Sequence, residues 1–186
     1  LNAGLIDADG SSTLSGDLTL GGSATVDVEQ EETLTYGGTS LSLGANTLTL
    51  AGSGTLSNTN ALVLGDEASV LKLSGTNTIS GPLSLDAGLI DVDGSSTLGS
   101  DLTLGGSAAI DLAQDKTLTY EGTVLSLGAN TLTVAGTGTL SNPSGYVLGD
   151  AESVMRLTGA NTVIGPLSLN AGLIDADGSS TLSGDL

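Results

Sequence analysis

The chain has 186 residues, 29 of them glycine, with no Cys, His, Trp or Phe and a net charge of −18 from 21 acidic and 3 basic side chains. Without His or Cys there is no Ser-His-Asp triad, no Cys-His pair, no imidazole or thiolate metal site and no disulfide framework. The charge argues against nucleic acid and anionic membrane surfaces as partners, and no apolar run approaches the ~18–20 residues that span a bilayer.

High acidity with few aromatics marks many disordered chains, which lack the apolar surface to offset the entropy of ordering. Here only 13% of residues are charged, and Leu, Val and Ile are dense throughout. An ordered chain is therefore expected. The first residues carry no charged, then apolar, then small-residue leader pattern.

Short strand-like pieces follow one another from the N-terminus. Ile6-Asp7-Ala8, Thr13-Leu14 and Leu18-Thr19-Leu20 make a first set of three. Val26-Asp27-Val28, Thr33-Leu34 and Leu41-Ser42-Leu43 make a second, and Leu48-Thr49-Leu50, Thr55-Leu56 and Leu62-Val63-Leu64 a third. Leu71-Lys72-Leu73, Thr78-Ile79 and Leu83-Ser84-Leu85 complete a fourth. Asp-Gly, Ala-Gly, Ser-Gly and Gly-Pro between them are turn signals. Alternation with period two predicts strands, with successive side chains on opposite faces. Helix is disfavoured, since interior glycines cost ~1 kcal/mol each.

The series then starts again. Leu1-Asn2-Ala3-Gly4-Leu5-Ile6-Asp7 returns as Leu85-Asp86-Ala87-Gly88-Leu89-Ile90-Asp91 and, after the same interval, as Leu169-Asn170-Ala171-Gly172-Leu173-Ile174-Asp175. Residues 1–84 and 85–168 are identical at 58 of 84 positions, and 169–186 repeat 1–18 without change. Three units are expected: a first copy at 1–84, a second at 85–168, and the start of a third at 169–186, all in one solenoid cut from a longer array.

The final leucines of the Leu-x-Leu pieces, from Leu20 to Leu169, step by 23, 21, 21, 19, 23, 21 and 21 positions. This predicts an all-β parallel β-helix with three short strands per coil of about 21 residues and four coils per repeat. Parallel crossovers are right-handed in ~98% of cases, so a right-handed coil is expected. Stacked columns of aliphatics fill such a coil without large aromatics. About nine coils at ~4.8 Å predict a rod of roughly 42 Å, with uninterrupted hydrogen bonding between coils.

Leu71 to Gly88, reading Leu-Lys-Leu-Ser-Gly-Thr-Asn-Thr-Ile-Ser-Gly-Pro-Leu-Ser-Leu-Asp-Ala-Gly, resembles the autotransporter-associated β-strand repeat of bacterial surface proteins. Met155 to Gly172 resembles it again, and Gly44 to Gly54 in part. Filamentous-haemagglutinin-like and giant repetitive adhesins are similar in style. The resemblance implies a secreted, right-handed β-helical stalk on the cell surface and supplies no catalytic residues.

Three chemistries are weighed on the residues. Asp7, Asp9, Asp91, Asp93 and Asp111 offer hard oxygens for calcium, although the full EF-hand and nonapeptide signatures are missing. The first-strand column is expected to run Asp7, Asp27, Thr49, Lys72, Asp91, Asp111, Thr133, Arg156, Asp175, which sets Lys72 beside Asp91, Arg156 beside Asp175 and Asp91 beside Asp111. The alternative is an exposed charge ladder of small energetic weight. Second, a Thr-x-Thr/Ser face (Thr33/Thr35, Thr55/Ser57, Thr78/Ser80, Thr117/Thr119, Thr139/Ser141), broken at Gly99 and Ile164, offers a lateral surface for ice or glycan; the plainer account is the β-propensity of Thr. Third, Tyr36 and Tyr120 are equivalent and would stack on sugars if exposed. No catalytic, metal or cofactor residue is assigned, and no enzyme is expected. The expected role is structural: a length-building segment of an extracellular fibre, with neighbouring repeats and end-to-end or lateral self-association as its contacts, and a cell-surface or glycan target left open.

Overall fold

In a computed structural model the described residues, 1–185, contain strands and no helix. Every strand pair is parallel, and the chain winds as a β-solenoid of about eight turns. Nine strands form the first sheet: Gly4–Ala8, Ala24–Val28, Thr47–Gly52, Val70–Leu73, Leu89–Val92, Ala108–Leu112, Thr131–Gly136, Val154–Leu157 and Leu173–Ala176. Nine more form the second, from Ser12–Leu14 and Thr33–Tyr36 through Thr55–Asn58, Thr78–Ile79, Ser96–Leu98, Thr117–Tyr120, Thr139–Ser141 and Thr162–Ile164 to Thr181–Ser183. With eight steps between nine strands, the stack is ~38 Å long, slightly shorter than nine coils would give.

The third side is divided. Leu41–Ser42, Leu62–Leu64, Leu83–Leu85 and Leu102–Leu104 form one sheet, and Leu125–Ser126, Tyr146–Leu148 and Leu167–Leu169 form another. No strand pairing joins Leu102–Leu104 to Leu125–Ser126. Residues 18–20, expected as a strand, are not one. Leu18 and Leu20 still pack toward the interior. The expectation of uninterrupted bonding between coils therefore fails on this side, once in each copy.

Register explains where it fails. Motif alignment would set Thr13 against Thr33, but Thr13 pairs with Thr35 and Leu14 with Tyr36. Likewise Asp27 pairs with Ala51, not with Thr49, whose partner is Thr25. The second copy repeats the offset, with Thr97 opposite Thr119 and Asp111 opposite Ala135. One junction per copy is thus slipped by two residues on both large sheets, and the third side parts at that same junction. The inward ladder that starts at Gly4 runs Ala24, Leu48, Leu71, Ile90, Ile110, Val134, Leu157 and ends at Ala176.

The core is one continuous hydrophobic cluster from Ala8 to Leu167, largely aliphatic but with Tyr36, Tyr120 and Tyr146 inside it. Leu48, Leu71, Ile90 and Leu132 are fully buried while the alternating Thr49, Lys72, Asp91 and Thr133 keep some exposure. Each buried aliphatic contributes ~1.5–3 kcal/mol, which offsets the entropy of ordering a coil. Close stacking leaves no room for side chains at one corner. A Cβ on Gly75 would lie 1.7 Å from the Gly52 carbonyl oxygen, and one on Gly94 would lie 2.0 Å from that of Gly75. Gly136, Gly159 and Gly178 repeat the column.

Candidate functional site

The first sheet presents the acidic column. Asp7 faces Asp27 and Asp91 faces Asp111, the latter as alternation predicts. Asp91 also faces Lys72, and Arg156 faces Asp175. The Lys72 ammonium lies 2.7 Å from Asp91 Oδ2 and also donates to Asp93. Arg156 Nε donates to Asp175 at 3.0 Å. Lys72 is therefore a resident cation between two of the carboxylates weighed for calcium. Both pairs are partly exposed, so each contributes only ~0–1 kcal/mol. The two bonded carboxylates hold the Lys72 pKa above its ordinary value.

Asp7 has no such cation. Its pKa is raised, chiefly by the charge of Asp9 and secondarily by desolvation and by Asp27. Asp7, Asp9, Asp27 and Glu29 line an open surface depression. Among the described residues no group of three or more acidic side chains has metal-holding geometry. No described helix is long and apolar enough to cross a membrane.

The second sheet presents hydroxyls, but in columns set by the slipped register. Thr33, Thr55, Thr78, Thr97, Thr119 and Ser141 follow one another in direct pairing, and Ile164 closes the run. Thr117, Thr139, Thr162 and Thr181 form a second column beside it. Motif alignment would have placed Thr117 in the column that Thr119 occupies.

Tyr36 and Tyr120 do not face solvent. They are 3% and 2% exposed, in phase with the inward Leu34 and Leu118, which removes them as sugar-stacking platforms. Each phenol instead accepts a backbone hydrogen bond across the slipped junction: Leu18 N–H donates to Tyr36 Oη at 3.0 Å and Leu102 N–H to Tyr120 Oη at 3.1 Å. Tyr146, in the place of Leu62, is also inward, and burial pushes its pKa well above the ordinary phenol value.

Sequence reading missed the other side chains at these junctions. Asp17 Oδ1 accepts from Thr39 N–H at 2.9 Å, and Asp101 Oδ1 from Thr123 N–H at 3.0 Å. That bond holds the Asp17 pKa below its ordinary value. Ser11 and Ser95 Oγ accept from Thr33 and Thr117 N–H; Ser23 and Ser107 Oγ accept from Thr47 and Thr131 N–H. Asn46 Nδ2 donates to the carbonyls of Leu20 and Leu43, and Asn130 Nδ2 to those of Leu104 and Leu127. At the other junctions the corresponding strand-entry amides use backbone acceptors: Thr78 N–H donates to Gly54 O, Thr97 to Asn77 O and Thr139 to Lys116 O. The available sequence signal was recurrence of these Ser, Asp and Asn residues at equivalent positions of the two copies.

The described exterior is thus a charge column on one side and hydroxyl columns on another; bonds from a backbone amide to a side-chain acceptor of the neighbouring coil fall at the two slipped junctions, while Asn77, Asn161, Ser69 and Ser153 reach carbonyls across the regular ones. Compared with known proteins, the chain matches no family model, no curated protein and no solved structure.

Proposed function

We propose that this chain is a length-building segment of an extracellular bacterial surface fibre, stalk or adhesin shaft. The observation that carries the reading is the single, largely aliphatic core running through every turn, with parallel pairing on at least two sides throughout. In such an array each repeat is four right-handed coils, each of about 21 residues and three strands. Each added repeat extends the same core without a new fold. The acidic exterior keeps neighbouring rods apart. The shaft works without catalysis and without a bound cofactor.

Chains of two, four and six repeats test this by small-angle scattering. Length is expected to grow by about 19 Å per repeat at constant cross-section. Growth of the radius of gyration as the ~0.38 power of residue number, the scaling of a globule, would sink it. The melting temperature is expected to be the same in EDTA and in calcium. A fall in EDTA that calcium restores would assign a cation to the Asp7–Asp9–Asp27 edge instead.

A second reading is favoured by the in-register hydroxyl column from Thr33 to Ser141: a lateral face that binds ice or glycan. Thermal hysteresis or glycan-array binding that Thr78→Val and Thr97→Val remove would establish it over an inert shaft.

A further inference from the structure

We propose that the slipped junction is a compliant joint, at which the third side opens while the first and second sheets hold as the hinge. One joint then recurs in every repeat. Three independent observations place it there.

The third-side backbone ladder is missing between Leu102–Leu104 and Leu125–Ser126, whereas the first and second sheets continue across that junction. Bonding across the open side falls to Tyr120, Asp101 and Asn130, which reach the backbone through side chains. The strand-entry amides of Thr117 and Thr131 also rely on serine hydroxyls. A carbonyl acceptor moves only with its chain, but a hydroxyl or carboxylate leaves by rotation about one or two side-chain bonds. Opening here therefore needs less concerted backbone motion than opening elsewhere.

The second observation is backbone strain. Glu31 and Asp115, equivalent positions at the turn leading into Thr33–Tyr36 and Thr117–Tyr120, have φ of 67° and 60°. Apart from Ala3, they are the only non-glycine residues with positive φ among those described. A left-handed conformation at a residue with a Cβ is retained only where its surroundings enforce it. Both lie in the slipped layer.

The third is packing. In the first copy an apolar cavity lies under this junction, lined by Leu14, Leu18, Leu34, Tyr36 and Leu41 among others. In that copy the interior is less completely filled beside the junction, and the cavity continues to Leu56 and Leu62 of the next turn.

This inference rests on the shaft reading for its biological meaning. Amide exchange measures the joint whether or not the chain is a shaft, so the two fail separately. Native-state hydrogen exchange on the full chain is the test. The third-side amides of Leu102 and Thr123 are expected to exchange at least about tenfold faster than those of Leu83 and Leu125 on the same side, whose acceptors are backbone carbonyls. Tyr120→Phe keeps the ring and removes the acceptor. It should speed exchange at Leu102 by a further tenfold or so and leave Leu83 unchanged. Asp101→Ala should do the same at Thr123. Equal rates for the two sets in the unsubstituted chain, or a parallel rise at every amide in both variants, would overturn the joint.

Discussion

The regular junctions and the slipped ones are built from the same strands but held by different means. Between Thr47–Gly52 and Val70–Leu73, and between Thr55–Asn58 and Thr78–Ile79, backbone ladders do the joining, and the third side joins Leu41–Ser42 to Leu62–Leu64 as well. Across the slipped junction two ladders persist, displaced by two residues, and the third is replaced by Tyr, Asp and Asn side chains. A backbone ladder accepts almost any outward residue. A side-chain tether accepts only the residue that reaches. Where backbone pairing lapses, sequence specificity passes to these tethers; at the regular junctions it lies in the glycine column and in buried Asn77 and Asn161.

The largest expected effect breaks a regular junction through its backbone. Gly75→Ala places a methyl against the Gly52 carbonyl, and a loss of about 4–5 kcal/mol or failure to fold is expected by urea denaturation. Next, Tyr120→Ala empties a buried ring position and frees the Leu102 amide; it should cost about 3–5 kcal/mol. An equal loss from Thr119→Ala, on the outward face of the same strand, would erase the distinction between tether and ladder. Asn130→Ala strands two carbonyls and should cost about 1–3 kcal/mol. The mildest effects are those of pH. The Lys72 pKa is raised, so its contribution is complete below the ordinary lysine value and fades as pH rises through the folded value. Lys72→Met should flatten part of that alkaline loss in melting temperature. The Asp17 pKa is lowered, so its contribution is present above the ordinary carboxylate value and disappears as pH falls through the folded value. Asp17→Asn, which keeps an acceptor that does not titrate, should make the slipped junction of the first copy less sensitive to acid.

The sheets were legible because inward Leu, Ile and Val alternate with outward Thr, Asp and Lys, and because turns fall at glycine. The ion pairs of Lys72 and Arg156 were legible from the same alternation. The slip was not, because register depends on how a turn places the next strand, not on the strand's own residues. Leu18-Thr19-Leu20 and Leu102-Thr103-Leu104 make the point. The triplets are identical, yet only the second is a strand, because Leu83–Leu85 lies before it as a pairing partner. Strand formation belongs to the pair. The inward direction of Tyr36 was available by parity with Leu34, since residues two apart share a face. The Asn, Asp and Ser tethers left only their recurrence, because polar residues in turns are common for many other reasons.

The inward ladder from Gly4 has one more consequence. Counting by repeats, Gly4 corresponds to Gly88 and Gly172, but the ladder passes through Ile90 and ends at Ala176. Equivalent residues are thus offset by two positions after one repeat and by four after two. Two residues span ~6.6 Å along a strand, against ~19 Å of rise for four coils. Marks that occur once per repeat consequently follow an oblique thread across the sheet, not a stripe parallel to the rod. Two such rods lying side by side would bring their matching charges into contact only where the threads cross, so lateral registry between them is intermittent by construction.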